Sequence, residues 1–379
     1  MNKQRTSGYL QLRSLVNADA QLELFLAHEP VPAPGPEEVL IRIDAAPVNP
    51  SDLGLLFAAA DMSTVRLVER EGYPCLLADI PEAAMPGLQG RLGQALAVGY
   101  EGTGIVVATG QSEQARQLDG KRVAAFGGGM YSQYACVPVQ ACLVLPDRTT
   151  AQEGASAFVN PLTSLGMVET MRSEGHTALV HTAAASNLGQ MLNRICLEDG
   201  VGLVNIVRKP EQADLLRAQG AVHVCDSSSD TFNDDLIQAI TATGATLAFD
   251  ATGGGTLAGQ ILGAMESVLS RAGGQYSRYG STTHKQVYLY GGLESGPTRF
   301  ERNFGMAWGM GGWVLWAFLR RMGPQGVARL KERIVAGLTT TFHSHYSQAI
   351  SMVELLQPET IALCNRRGTG EKFLLFPNG

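Results

Sequence analysis

The sequence predicts an α/β protein in two parts, a small barrel of short strands followed by a doubly wound parallel sheet. Residues 1 to about 157 contain short apolar runs, often alternating, that are separated by Gly and Pro. From about residue 158 the pattern changes to alternating strands and helices. A strand–turn–helix–strand unit with a turn of small residues, at 178–209, lies near the start of the second part.

The first part consists of strand-like segments with turn residues between them. Glu38–Asp44 alternates as a half-buried strand does, Gly104–Ala108 is followed by Gly110, and Arg122–Phe126 runs into a Gly triplet. Residues 61–97 have no clear period, and we expect them to form an inserted lobe over one face.

The second part alternates regularly enough for its elements to be placed. Strands are predicted at 178–182, 202–207, 222–225, 246–250 and 286–290, and helices at 161–173, 187–199, 210–219, 231–242 and 255–271. The tail predicts helices at 326–336 and 347–356 and a strand at 372–376 that return to the first domain. The predicted domains are therefore 1–157 with 318–379, and 158–317.

The unit at 178–209 has the layout of a dinucleotide-binding βαβ unit. An apolar run ends at His181, small residues follow, and a helix opens at Leu188-Gly189. The small residues let the backbone approach a pyrophosphate, which the helix N-terminus attracts. The second strand ends in Arg208-Lys209, where bases favour the 2′-phosphate of NADPH over the ribose of NADH. The GxGxxG fingerprint is absent, so a unit of this shape without a cofactor is the alternative.

Composition excludes several classes of protein. Of 379 residues, 45% are apolar and 17% charged, and the net charge is −6, which argues against disorder and nucleic-acid binding. The six cysteines form no CxxC pair, so we expect reduced, packed thiols. The N-terminus lacks the apolar core of a signal peptide, and Met306–Leu319 is too short to span a bilayer. We expect a cytoplasmic protein that binds no membrane.

Five short motifs lie in order along the chain. They are Val48–Asp52 (VNPSD), Gly99–Gly104 (GxExxG), Asn160–Thr163 (NPLT), Tyr290–Gly292 (YGG) and Gly370–Leu375. Together they resemble the medium-chain dehydrogenase/reductase superfamily, within it the zinc-independent quinone oxidoreductases and 2-enoyl reductases. The resemblance implies a GroES-like β-barrel catalytic domain, a Rossmann domain that binds NADPH, and a homodimer.

The resemblance also implies which residues contact the cofactor. The expected NADPH contacts are Asn160, Ser186, Asn187, Leu188, Gly189, Arg208, Lys209, Tyr290, Gly291, Gly292, Trp313 and Lys372. No metal site is expected: Tyr100 stands where zinc-dependent members have a histidine, and the 61–97 lobe has one cysteine, Cys75.

Without a metal, a conjugated acceptor is easier to reduce than a simple ketone, because a quinone or an enone spreads the charge of the incoming hydride. We expect Asn49 and Thr163 to bracket the nicotinamide, with a turn-stabilising role as the alternative for Asn49. The proton donor is open: Tyr100, which is also a candidate for substrate binding, Tyr73, or solvent.

The leading hypothesis is an NADPH-dependent reductase of quinones or other α,β-unsaturated carbonyls. The alternatives are a 2-enoyl thioester reductase and a non-catalytic NADPH-binding structural or regulatory protein. Enoyl reductases of this type carry a Tyr shortly after the NPSD segment, and Leu55–Ala60 contains none.

Two further segments carry aromatic or charged residues. Residues 272–285, which include Tyr276, Tyr279 and Lys285, precede the amino end of a parallel strand, so we expect an edge or subunit contact and not a site. Of the three tryptophans, Trp308 and Trp316 are expected in the core and Trp313 beside the substrate.

Overall fold

The computed structural model describes residues 8–274, 276–366, 368 and 370–379. The chain divides into two units. Unit 1 comprises Met1–Val159 and His343–Gly379, and unit 2 comprises Asn160–Phe342.

Unit 1 is built mainly of strands. Before unit 2 these are β1 (Gly8–Val16), β2 (Gln21–Pro30), β3 (Glu38–Pro47), β4 (Arg66–Arg70), β5 (Tyr73–Asp79), β6 (Leu96–Ala97), β7 (Glu101–Thr109), β8 (Arg122–Phe126), β9 (Tyr134–Pro138) and β10 (Cys142–Val144). Its helices there are α1 (Pro50–Phe57), α2 (Met85–Leu88), α3 (Glu113–Arg116) and α4 (Ala151–Ala155).

Unit 2 alternates strands and helices. The helices are α5 (Val159–Ser173), which begins at the boundary, α6 (Asn187–Asp199), α7 (Pro210–Ala218), α8 (Phe232–Thr243), α9 (Leu257–Ala272) and α10 (Leu315–Ala336). The strands are β11 (Ala178–His181), β12 (Gly202–Val207), β13 (His223–Asp226), β14 (Leu247–Asp250), β15 (Lys285–Leu289) and β16 (Trp308–Gly312). The chain then returns to unit 1 as β17 (Gln348–Ser351), α11 (Met352–Leu355), α12 (Pro358–Arg366) and β18 (Phe373–Phe376).

The strands of unit 1 form two sheets around one core. One has the order β4-β5-β2-β1-β6, and the other has the order β10-β8-β7-β3-β18-β17 with β9 also on β3. Backbone hydrogen bonds from Leu12 N to Tyr131 O (2.9 Å) and from Gln133 N to Leu10 O (3.0 Å) join them into a partly open barrel. Side chains of both sheets are buried in a common cluster that includes Leu24.

The strands of unit 2 form a doubly wound parallel sheet. Their order is β13-β12-β11-β14-β15-β16, and every neighbouring pair is parallel. Val180, Val204 and Ala248 in its centre are fully buried, because helices cover both faces. The strand order reverses at β11 and β14, where ligands bind at the carboxyl edge of such sheets. The predicted α/β fold class is confirmed.

Two sequence predictions about elements need correction. Residues 61–97 are not a separate lobe, because β4 and β5 form a hairpin that extends the first sheet through β2. Residues 347–356 form β17 and then α11 instead of one helix, since β17 pairs in parallel with the distant β18. The helix predicted at 326–336 is the second part of α10, because Gly323 (φ +73°) interrupts the helical backbone before Pro324.

The second unit also extends further than the predicted boundary at residue 317. Arg329 Nη2 lies 3.2 Å from Glu169 Oε2 on α5, and Arg333 Nη2 lies 2.7 Å from Asp199 Oδ1 at the end of α6. These ion pairs tie α10 to unit 2, which therefore ends at Phe342.

A buried ion pair lies at the amino end of β15. Lys285 has no exposed surface, and its Nζ lies 2.6 Å from Glu266 Oε2 on α9. Glu266 also accepts hydrogen bonds from Ser281 N (2.7 Å) and Ser281 Oγ (2.9 Å). Burial alone would raise the pKa of Glu266, but Lys285, followed by the serine donors, lowers it to about 2. Lys285 is thus part of the core of unit 2 and not of an exposed contact, whereas Tyr276 nearby is 94% exposed.

Candidate functional site

The turn between β11 and α6 presents a helix N-terminus at the carboxyl edge of the sheet. Ser186 caps α6, and its Oγ accepts a hydrogen bond from Gly189 N at 3.1 Å. Ala183 adopts a positive φ of 50° in the turn, a conformation that alanine rarely takes. The predicted residues Asn187 and Leu188 form the first turn of the helix. Amide groups at such an end attract anions.

Gly189 is required by the packing of this turn. A Cβ at Gly189 would lie 2.2 Å from the backbone oxygen of Ala184, so no larger side chain fits without a shift of the backbone. The close approach brings α6 against the end of β11. Gly189 thus allows the same close packing of helix on strand as the last glycine of the GxGxxG fingerprint.

Two cations follow the neighbouring strand. Arg208 and Lys209 are exposed at the end of β12, which pairs with β11. Arg208 N donates to Gln212 Oε1 at 3.1 Å, and Lys209 Nζ lies 3.9 Å from Glu211 Oε1. An exposed ion pair of that length is weak. Both cations are therefore available to an anionic ligand at this edge.

Asp250 connects two loops at the same edge, and sequence reasoning missed it. Its Oδ1 accepts hydrogen bonds from Thr182 Oγ1 (2.7 Å) and Thr252 N (2.8 Å), while Thr182 Oγ1 accepts from Ala251 N (2.8 Å). Asp250 is fully buried. The hydrogen bonds of Thr182 and Asp250 thus hold the loops after β11 and β14 together.

The predicted Tyr290-Gly291-Gly292 segment follows β15 in this region. Tyr290 Oη lies 2.7 Å from His181 Nε2, and the two rings are stacked at 5.7 Å. Burial lowers the pKa of His181 to about 3, so the imidazole is neutral near pH 7, and burial also raises the pKa of Tyr290. A Cβ at Gly291 would lie 2.6 Å from the backbone oxygen of Ala251, whereas one at Gly292 would meet nothing within 4 Å.

The remaining unit 2 predictions fall on α5 and on the segment after β16. Asn160 and Thr163 lie in the first turns of α5, and Thr163 is 6% exposed. Trp313 is 5% exposed, and its Nε1 donates to Thr170 Oγ1 at 3.1 Å. Its indole thus packs inside unit 2. Trp316, expected in the core, is 52% exposed.

In unit 1, Glu101 is the centre of a buried hydrogen-bond network. Its Oε1 accepts from Asn49 Nδ2 at 2.8 Å, and its Oε2 accepts from Phe158 N at 3.2 Å and Val159 N at 2.8 Å. Glu101 is 1% exposed, and burial raises its pKa. The GxExxG motif contained this residue, but its partners are more than fifty positions away in the sequence.

Asp52 holds the backbone of two predicted unit 1 residues, Asn49 and Tyr100, in place. Its Oδ2 accepts from Asn49 N at 2.8 Å and its Oδ1 from Tyr100 N at 2.9 Å. Complete burial raises the pKa of Asp52 to about 7. Asn49 is 3% exposed, whereas the Tyr100 side chain lies at the surface with 36% exposure.

Lys372 lies beside the same network. Its Nζ donates to Ser156 Oγ at 2.7 Å, and Tyr346 Oη donates to the same oxygen at 2.8 Å. Burial lowers the pKa of Lys372 to about 8, although Glu101 favours the charged form. No sequence signal pointed to Ser156 or Tyr346.

The other candidate proton donor, Tyr73, begins β5, and its ring lies 5.8 Å from that of His28. Among the residues that the structure describes, no group of three or more His, Cys, Asp or Glu is arranged to hold a metal ion. Within the same residues, no helix combines the length and apolar character needed to cross a membrane.

Fold and local geometry together define a protein with a partly open barrel and a doubly wound sheet whose carboxyl edge has the features of a dinucleotide site. Comparison with known proteins agrees. Residues 35–147 match the family model of the alcohol dehydrogenase GroES-like domain.

Two curated relatives resemble part of the chain. The rat synaptic vesicle membrane protein VAT-1 homolog is 25% identical over 225 residues, 59% of this chain and 48% of that protein. The bovine mitochondrial enoyl-[acyl-carrier-protein] reductase is 27% identical over 197 residues, 51% of this chain and 46% of that protein. The matches thus span about half the length of these relatives.

Solved structures match over nearly the whole chain. A Mesorhizobium loti protein assigned as an NADPH:quinone reductase is 24% identical, covers 99% of this chain and 100% of its own, and has a TM-score of 0.73. A mycobacterial protein solved in complex with NADPH is 18% identical, covers 97% of this chain and 100% of its own, and has a TM-score of 0.69. The predicted resemblance to the medium-chain dehydrogenase/reductase superfamily is confirmed in the GroES-like domain and in the fold.

Proposed function

We propose that this protein is an NADPH-dependent oxidoreductase that reduces a quinone or another α,β-unsaturated carbonyl. The observation that carries the proposal is the pairing of a capped helix N-terminus after β11 with two exposed cations after β12. The first suits a pyrophosphate and the second a 2′-phosphate. The names of the solved neighbours, an NADPH:quinone reductase and an NADPH complex, support the same chemistry.

The turn at α6 fits a dinucleotide in its detail. A Cβ at Gly189 would lie 2.2 Å from the backbone oxygen of Ala184, so the close packing of the turn on the helix depends on this glycine. Ser186 Oγ accepts from Gly189 N, and its hydroxyl proton stays available for a phosphate oxygen. Arg208 and Lys209 would hold the 2′-phosphate, with Arg able to form two parallel hydrogen bonds.

When bound, NADPH would supply a hydride to an electron-poor carbon of the acceptor. Asn49 and Thr163 are our candidates for positioning the nicotinamide. The amide of Asn49 is oriented by Glu101, which accepts from its Nδ2, so the side chain is preorganised. The proton that completes the reduction comes from Tyr100, Tyr73 or solvent.

Cofactor preference tests the proposal directly. We expect NADPH to bind at least tenfold more tightly than NADH, about 1.4 kcal/mol. The double variant Arg208→Ser/Lys209→Ser should remove that preference and leave NADH affinity unchanged, as measured by fluorescence titration. Lys121→Ser, which removes an exposed charge from unit 1, is the matched control. Equal affinities of the unaltered protein for both nucleotides would refute the proposed role of both cations.

Acceptor assays separate the candidate functions. Oxidation of NADPH with a panel of quinones supports the proposal, whereas oxidation with a crotonyl thioester alone supports an enoyl thioester reductase. The likeness to a mitochondrial enoyl reductase favours that alternative, and the absence of a Tyr in Leu55–Ala60 opposes it. NADPH binding without oxidation by either class would indicate the non-catalytic alternative.

We also propose that catalysis is independent of zinc and that the protein forms a homodimer. Tyr100 at the position of the zinc-binding histidine supports the first proposal, and the family resemblance supports the second. Turnover should be unchanged after dialysis against a chelator, which tests the independence from zinc. The mass in solution, measured by light scattering, tests the homodimer.

A further inference from the structure

We propose that the exposed ring of Tyr100 is a stacking platform for a planar aromatic acceptor, so that fused-ring quinones are preferred over small aliphatic enones. This inference rests on the proposed function and narrows its substrate class. It is carried by the arrangement of three aromatic rings in unit 1.

The rings form a ladder from the core to the surface. The centroids of Tyr100 and Phe126 are 6.4 Å apart with an interplanar angle of 21°, and those of Phe126 and Phe158 are 5.8 Å apart with an angle of 8°. Both separations lie in the range of offset-stacked pairs. Phe158 is 2% exposed and Tyr100 is 36% exposed. The ladder thus has a buried first ring and an accessible last ring.

The backbone around the ladder is fixed by buried carboxylates. Asp52 Oδ1 accepts from Tyr100 N at 2.9 Å, and Glu101 Oε2 accepts from Phe158 N at 3.2 Å. Phe126 on β8 pairs directly with Glu101 on β7, the residue after Tyr100. The last ring is therefore held by the same network that orients Asn49.

Gly99 sets the direction in which Tyr100 leaves the chain. It has a φ of +92°, and a Cβ there would lie 2.4 Å from Tyr131 Cδ1. Only glycine takes this conformation and position without strain. The turn thus fixes the backbone from which Tyr100 projects, and the ring itself packs against Phe126.

The chemistry of this surface suits an electron-poor planar ring. A phenol supported by two further aromatic rings offers an electron-rich face, and a quinone offers an electron-poor one. An aliphatic enone has no ring face, so it gains little from the same surface. Because the platform is already ordered, a ligand that stacks on it loses little additional side-chain entropy.

Equilibrium binding tests the platform without turnover. The probe is 2,3-dimethyl-1,4-naphthoquinone, whose reactive ring positions are blocked against thiols, titrated into the full chain without NADPH. We expect Tyr100→Phe to keep the dissociation constant within about twofold and Tyr100→Leu to raise it about tenfold, or about 1.4 kcal/mol. Tyr279→Leu, at a tyrosine that is 60% exposed elsewhere, should change nothing. Naphthoquinone binding to Tyr100→Leu that is as tight as to the unaltered protein overturns the inference.

A variant of the middle ring tests the ladder, and turnover assays separate this inference from the proposed function. Phe126→Leu removes the middle ring and should weaken naphthoquinone binding by an intermediate factor, with the thermal midpoint reporting whether the variant is folded. If binding depends on Tyr100 but NADPH is not oxidised, the platform stands and the proposed function fails. If naphthoquinone is reduced and its KM is unchanged in Tyr100→Leu, the proposed function stands and the platform is refuted.

Discussion

Asn49 connects the two buried carboxylates of unit 1, Asp52 and Glu101. Its backbone N–H donates to Asp52 and its side-chain amide donates to Glu101. The amide is therefore more than a local turn contact, since Asn49 precedes α1 and Glu101 lies on β7. Its role beside the nicotinamide stays a prediction.

The hydroxyl of Tyr100 can be tested separately from its ring. We expect Tyr100→Phe to keep kcat within about twofold, because a reduced quinone can take its proton from solvent. Steady-state turnover at saturating NADPH measures this. A large loss of kcat with unchanged NADPH affinity would instead identify Tyr100 as the proton donor.

His181 makes stability sensitive to acid. Its folded-state pKa of about 3 lies below the ordinary value of 6.5, so between these pH values the unfolded chain binds a proton that the folded chain does not. The contribution of His181 to the free energy of unfolding should therefore fall as the pH drops below 6.5, by about 2 kcal/mol at pH 5. The raised pKa of Asp52 acts in the opposite direction over the same range, so the His181 contribution is read from the difference between two proteins.

Urea unfolding at pH 7 and pH 5 checks this prediction. His181→Gln does not titrate and can still form a hydrogen bond with Tyr290, so the change in free energy of unfolding from pH 7 to pH 5 should be about 2 kcal/mol less favourable in the unaltered protein than in the variant. The same pH dependence in both proteins would contradict the assignment.

At the scale of elements, the turn into α6 has the least tolerance for change. Gly189→Ala places a methyl group against the Ala184 backbone, and we expect overpacking to cost about 1–3 kcal/mol and NADPH affinity to fall at least tenfold. Gly54→Ala in α1, where a Cβ meets nothing within 4 Å, is the control. Unaltered NADPH affinity in Gly189→Ala would show that this turn does not bind the cofactor.

The elements of unit 2 could be predicted because each carries its own signal. The buried strands appear as apolar runs and the helices as periodic segments, so β11 and α6 were placed within a residue of their observed ends. The prediction of a helix at 347–356 is wrong because β17 is a strand only through its pairing with β18. The network of Glu101 could not be predicted either, because contacts between distant residues leave no local pattern.

At the scale of the whole molecule, NADPH should leave a localised signature in unit 2. We expect bound NADPH to slow amide exchange in the 182–186 turn and the first turn of α6, and to leave the Lys285 region at the other edge unchanged. At one hundred times its dissociation constant it should also stabilise the chain by about 2.7 kcal/mol. Exchange measured by mass spectrometry locates the effect. Protection from exchange confined to the amino edge of the sheet would show that NADPH does not bind at the α6 turn.

The ion pair of Lys285 and Glu266 has a consequence for how this chain can evolve. Replacing either residue alone leaves an uncompensated buried charge, at a cost of about 3–5 kcal/mol. That is comparable with the entire stability of many domains, about 5–15 kcal/mol. An apolar pair could fill the same space, but a lineage reaches it only through an intermediate that barely folds. Descendants of this sequence should therefore keep both charges or have lost both.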